Sequence, residues 1–254
     1  MRRLLLWLLL VGFFLVAYVL ATRLPEELRV RFVTSWFPFA AFAVFLAVFV
    51  LLFSWARAAN RLSVEGNSLL AQGRFAEAIA MFERAAKLSR RSNVVPYYRG
   101  IALMCLWRVA EAEASFEEAA SQRLVPADLT KLLFPSRSLS AALLGLDETA
   151  RERLAHVEEI GAGSTAEALL ARAVLAVRAK DWAQARELLQ RYEVKLLGGP
   201  IRALADALYA WCVEAMSGEL RPVDRVGLFG ETGPEALEQL WPEFMAFVQR
   251  APRP

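Results

Sequence analysis

The chain has 254 residues, 57% of them hydrophobic, with 30 Lys+Arg, 27 Asp+Glu and one histidine, for a formal net charge of +3. Setting aside Arg2, Arg3, Arg23, Arg29, Arg31, Glu26 and Glu27 leaves 25 basic and 25 acidic residues from position 57 onward, so the excess charge belongs to the apolar start and the rest is neutral. A neutral region is a poor phosphate binder, which argues against nucleic acid as a partner, and two distant cysteines, Cys105 and Cys212, make no disulfide framework.

Residues 4–21 and 37–54 contain no Asp, Glu, Lys, Arg or His. At about 1.5 Å rise per residue, each 18-residue stretch covers roughly 27 Å as a helix, close to the hydrocarbon thickness of a bilayer. Together they predict a transmembrane hairpin over 1–56, with spans near 4–21 and 37–55 and a loop between them, and Trp36 and Trp55 at the headgroup level. The first stretch has a rival reading as a signal peptide, with Arg2-Arg3 ahead of it and Val19-Leu20-Ala21 at a cleavable end, but it is longer than such segments usually are. Arg2, Arg3, Arg57, Arg61 and Arg74 flank the outer ends of the hairpin against Arg23, Arg29 and Arg31 in its loop, which places the following region in the cytoplasm by a small margin. Arginine outnumbers lysine 26 to 4, the habit of a GC-rich bacterial genome, and the expected location is the bacterial inner membrane. From Ala40 to Gln72 there is no proline and one glycine, Gly66, so the second span is expected to run on into the next helix without a break.

Residues 57–217 carry a repeat. Gly66, Leu69, Ala78, Phe82 and Ala85 recur 34 positions later as Gly100, Leu103, Ala112, Phe116 and Ala119. Ala78, Phe82 and Ala85 lie on one face of a helix, and Glu77, Glu83, Arg84 and Lys87 on the rest of its surface. The pattern resembles the tetratricopeptide repeat (TPR) family, whose unit is a helix, a turn and a second helix, and it implies an all-α fold: a TPR-like α-solenoid of helix pairs behind the hairpin. The second copy departs at its turn, where Trp107 and Val109 stand for Gly73 and Phe75. A hairpin followed by such repeats is also similar in architecture to bacterial HemY-type proteins.

Ala150, Leu154 and Val157, then Ala185, Leu189 and Tyr192, continue the second-helix series with alanine steps of 34, 38 and 35 residues, so the third unit carries an insertion. Pro126 and Pro135 bracket it and predict a broken first helix near Pro135. Ser164-x-x-Glu167 reads as a capping box, and Gly198-Gly199-Pro200 as a stop and restart before a capping helix over 200–217. Residues 218–233 read as a loop, and 234–249 as a final helix interrupted at Pro242.

Catalytic motifs are not found. His156 stands alone on a helix, no HExxH or phosphate loop occurs, and Gly161-Ala-Gly163 and Gly227-x-x-Gly230-x-x-Gly233 follow no strand. Glu117-Glu118 and Glu158-Glu159 are sequence neighbours, which on a helix do not face one another. No metal or cofactor is expected, and the chain is read as a non-enzyme.

The TPR resemblance implies a groove lined by first helices that takes peptides or partner helices. Carrying its positions over gives Asn67 and Leu70 from the first unit and Tyr97, Tyr98, Ile101 and Met104 from the second as partner-binding residues. The tyrosines have an equally good account as packing between units. Of the residues with which some TPR proteins hold a terminal carboxylate only Asn67 matches, with Ser63 and Tyr98 at other such positions, so that ligand is unsupported. The expected role is a membrane-anchored scaffold or adaptor for an unidentified protein partner. The alternative is an accessory or assembly subunit of a membrane enzyme or transporter, with the hairpin packed on partner helices.

Overall fold

A computed structural model describes residues 11–254 apart from 13, 17, 20, 21, 24, 32–36, 89–91, 93, 123–126 and 231. Among the described residues there is no strand, and the chain divides into two compact units, Met1–Ala58 and Ala59–Pro254.

In the first unit, residues 11–12, 14–16 and 18–19 of the expected first span are helical, and the remainder of that span lies outside the described residues. The connection expected to be a loop contains a short helix, α1 (Glu26–Arg31), whose two leading glutamates sit where the helix dipole favours negative charge. Next comes α2 (Phe37–Ala71), 35 residues without interruption. From Phe39 onward it is long and apolar enough to cross a membrane, with a mean hydropathy of 2.5 over its most apolar window of 18 residues. None of that window is buried within the protein, which separates α2 from a core helix. Phe45, Phe49 and Phe53, four residues apart, stack along one side of it at 6.4 and 6.1 Å between ring centroids.

The second unit is a series of stacked helix pairs. The end of α2 and α3 (Phe75–Leu88) form the first pair; α4 (Val94–Cys105) with α5 (Val109–Ala120), α6 (Ala127–Leu143) with α7 (Asp147–Glu159), and α8 (Ala166–Arg178) with α9 (Trp182–Gln190) form the next three. First helices of successive pairs also meet, α4 with α6 and α6 with α8, so each pair buries the apolar face its neighbour leaves open.

All four pairs turn the same way. Gly73, Trp107, Gly145 and Lys180 have φ of 77°, 55°, 75° and 61°, the left-handed conformation that ends a helix. At each, the next residue's N–H returns to a carbonyl five positions back: Arg74 to Leu69, Arg108 to Leu103, Leu146 to Ala141 and Asp181 to Ala176. The apparent departure at Trp107 is thus no departure of backbone; a tryptophan occupies the conformation that glycine adopts freely.

The pairs are joined by a small residue facing a large one. A Cβ built on Gly66 would stand 2.7 Å from Phe82 Cε1, and one on Gly100 2.4 Å from Phe116 Cε1, so both glycines are demanded by close approach. In the third and fourth pairs the same spacing from the turn falls on Ser138 and Ala173 in the first helix and on Leu154 and Leu189 in the second, a larger small residue with a smaller large one. In every pair the small residue precedes the left-handed turn by seven positions, and the large residue follows it by nine.

Two expectations fail here. The first helix of the third unit is not broken: α6 runs 17 residues with Pro135 inside it. Proline removes one backbone donor. The buried Leu129, Leu133, Leu139 and Leu143 nevertheless hold the helix in place, and the Ser136 and Ser138 hydroxyls donate to the carbonyls of Leu132 and Phe134 in adjoining turns. Nor is Ser164-x-x-Glu167 a capping box. The N-cap of α8 is Thr165, without a side-chain capping bond, because Thr165 Oγ1 donates instead to the carbonyl of Ala162.

The capping helix is α10 (Gly199–Ser217), preceded by a 3-10 turn at Glu193–Leu196. Within the expected loop 218–233 lies a short helix, α11 (Arg225–Phe229), capped by the Asp224 side chain on the N–H of Gly227. The final helix is indeed interrupted before Pro242, as α12 (Glu235–Leu240) and α13 (Pro242–Arg250). The terminal region is tied to the second helix pair by Trp107 and to itself by Arg225. Trp107 Nε1 donates to the Leu228 carbonyl at 2.8 Å, and the Arg225 guanidinium donates to the carbonyls of Val248, Gln249 and Ala251, closing the end of α13.

Candidate functional site: a groove between first helices

The first helices of all four pairs converge on a cavity of about 360 Å³ in the second unit. Leu70 enters from the end of α2, Ile101 and Met104 from α4, Leu139 from α6 and Glu167 from α8. Leu70 and Met104 occupy the same register in successive units, as do Ile101 and Leu139, so the repeat itself produces a continuous apolar wall.

Gly198 and the start of α10, through Gly199 and Ile201, supply a further wall, with Gly199 lying where an added Cβ would touch the Phe75 ring at 3.6 Å. The helix read from sequence as a cap on the last pair therefore also reaches the first hairpin and α4, and it closes the groove across its width.

Of the six residues expected to bind a partner, Leu70, Ile101 and Met104 line this cavity, while Asn67, Tyr97 and Tyr98 do not. Tyr97 is 5% exposed and packs edge-on to Tyr98 at 5.1 Å and against Phe116 at 6.1 Å. Tyr98 stacks on Phe82 at 6.2 Å. The tyrosines thus connect the large residues of the first two units. Asn67 is half-buried, and its Oδ1 is buried without a hydrogen-bond partner.

Glu167 was missed as a groove residue, because a capping role already accounted for it and the groove positions were carried over only from the first two units. Its carboxyl is pushed above the ordinary carboxylate range by burial. Tyr97 feels it: burial, then the charge of Glu167, raise the phenol, while a hydrogen bond with Ser136 acts the other way. Cys105, also on the cavity wall, is raised by burial to about 12 and is an inert thiol at neutral pH. Cys212 is buried likewise, and both cysteines are free.

His156 is exposed, 3.2 Å from Glu159 and edge-on to Phe134. Among the described residues no three His, Cys, Asp or Glu side chains are grouped to hold a metal ion. Three of the four glutamates singled out in sequence pair with arginines: Glu117 with Arg137, Glu118 with Arg99 and Glu158 with Arg172.

No known protein-family model matches the sequence, and no curated protein matches it. Among solved structures the chain is similar to YrrB, described as a TPR protein with an unusual peptide-binding site, at 16% sequence identity and a TM-score of 0.40, over 74% of this chain and 89% of that one.

Proposed function

We propose that the protein is a membrane-anchored, non-catalytic scaffold whose second unit holds a segment of a partner protein between its first helices, on the cytoplasmic side of a bacterial inner membrane. The observation that carries the reading is the shared cavity: four helices from four repeats, and the start of α10, present Leu70, Ile101, Met104, Leu139, Glu167 and Ile201 to one space. Apolar walls with a single carboxylate suit recognition of side chains, and methionine adapts to more than one shape. The exposed apolar face of α2 supports anchoring.

A photoactivatable amino acid at Ile101, in full-length protein within native membranes, tests the reading. It should give a discrete cross-linked protein that the same group placed at exposed Glu187 does not give; equal or absent cross-linking at Ile101 overturns it. The Phe45, Phe49 and Phe53 ladder favours a second reading, an accessory subunit whose α2 packs on partner membrane helices. Cross-linking from Phe45 to an integral membrane protein, with none from Ile101, selects that second reading.

A further inference from the structure

We infer that the segment held in the groove presents a lysine or arginine side chain between apolar neighbours, and that Glu167 receives it. This rests on the groove reading above and specifies its ligand.

Glu167 is the only lining residue of the cavity with a carboxylate or a cationic group; the others are apolar, glycine, Ser136 and Cys105. Other enclosed carboxylates have an arginine partner, Glu113 with Arg153 being the most enclosed such pair, whereas Glu167 forms no ion pair among the described residues. Burial among apolar walls takes hydration from this carboxylate and raises its proton affinity, and the one compensation inside the protein is a hydrogen bond from its own backbone N–H, which acts the other way and is the smaller effect. A cation from outside restores what the fold leaves out. The adjoining titratable groups, Tyr97 and Cys105, are both raised by burial and stay neutral, so neither competes for the role.

The walls specify the rest of the ligand. Lysine and arginine carry long aliphatic stems that pack along apolar surface while the charged head reaches a polar partner. Leu70, Ile101 and Met104 offer such a surface. A volume of about 360 Å³ is at the small end of ligand sites, enough for one long side chain with an apolar neighbour rather than for a whole helix. Arginine is the stronger candidate, because its planar fork can engage both oxygens of Glu167.

A displayed library of random peptides, panned against the full-length protein in lipid nanodiscs, tests this. The expected result is enrichment of peptides with one Lys or Arg at a fixed position flanked by Leu, Ile, Met or Phe. Their affinity should drop at least tenfold with Glu167→Gln, and equally when the peptide's cation is replaced by norleucine on the unaltered protein. The second arm holds even if the variant folds poorly. Enriched peptides without a fixed cation, or binding unchanged in both arms, overturn the inference while leaving the groove reading standing if Ile101→Asp abolishes binding. Absence of any peptide sensitive to Ile101→Asp overturns both.

Discussion

The Phe116 ring fills the space that a side chain on Gly100 would need: a Cβ there would stand 2.4 Å from its Cε1. Phe116 is fully buried and has Tyr97 against it, so it cannot withdraw. Gly100→Ala gains about 1 kcal/mol of helix propensity, but overpacking of a core costs about 1–3 kcal/mol, and a net loss of stability is expected in urea unfolding. Adding Phe116→Leu recreates the pairing of the later units, so the double variant should be more stable than the sum of the single effects allows. Strict additivity would count against the paired-residue account.

Trp107 and Lys180 hold the same left-handed turn for opposite reasons, and their replacement should differ in sign. Trp107→Phe removes the donor to the Leu228 carbonyl and should cost about 1–3 kcal/mol, with faster hydrogen exchange over 218–233. Lys180 is exposed and its turn gains nothing from a side chain; Lys180→Gly relieves left-handed strain of about 1–2 kcal/mol, less the extra freedom glycine has when unfolded. A small rise in the melting temperature is expected, and a fall would show that Lys180 makes a contact worth more than the strain.

Arg225 gathers three carbonyls at the end of α13. Arg225→Lys keeps the charge but not the fork that reaches Val248, Gln249 and Ala251 together. Limited proteolysis should then cleave near residue 250 before the repeats unfold, and cutting at the unaltered rate would show that the aromatic packing of Trp211, Trp241, Phe244 and Phe247 alone secures the end.

The raised carboxyl of Glu167 makes stability depend on pH in a definite direction. The folded state holds this proton more tightly than the unfolded chain, whose value is about 4.3. The stabilisation is complete below that value and is lost as pH rises through the folded one. Wild type should therefore lose stability relative to Glu167→Gln as pH is raised from about 4 through the range just above the ordinary carboxylate value. Parallel urea midpoints for the two proteins across that range would contradict burial as the cause of the shift.

Charge in the middle of α2 should defeat anchoring. Leu46→Arg with Val50→Arg adds about 2.5–3.5 kcal/mol per residue to insertion of α2, and in a variant begun at residue 25, which lacks the expected first span, the protein should move from the membrane pellet to the carbonate-soluble fraction. Retention in the pellet would require a second anchor.

The helix pairs were legible in the sequence because their alanine and phenylalanine positions are set by packing, which repeats. Pro135 misled because proline states a local preference, whereas α6 is decided by the buried Leu133 and Leu139 beside it. Leu70, Ile101 and Met104 were found through the register of the first two units; Glu167 was not, because a glutamate three residues after a serine looks the same whether it caps a helix or faces a cavity. The closure by α10 could not be read at all: it depends on where Gly199 arrives relative to Phe75, over a hundred residues earlier.

The seven- and nine-residue intervals around each left-handed turn are the same in all four pairs, while the distance from one pair to the next is not. Length in this chain is therefore measured by the hairpin, and the 34-residue period is only the first of three unequal spacings of hairpins along a thread. The four extra residues of the third unit fall between Phe116 and Ser138, outside any such ruler, and a peptide tag placed there would be spliced in at a joint the architecture has already lengthened once. The same tag between Ser138 and Leu154 would break the measure itself.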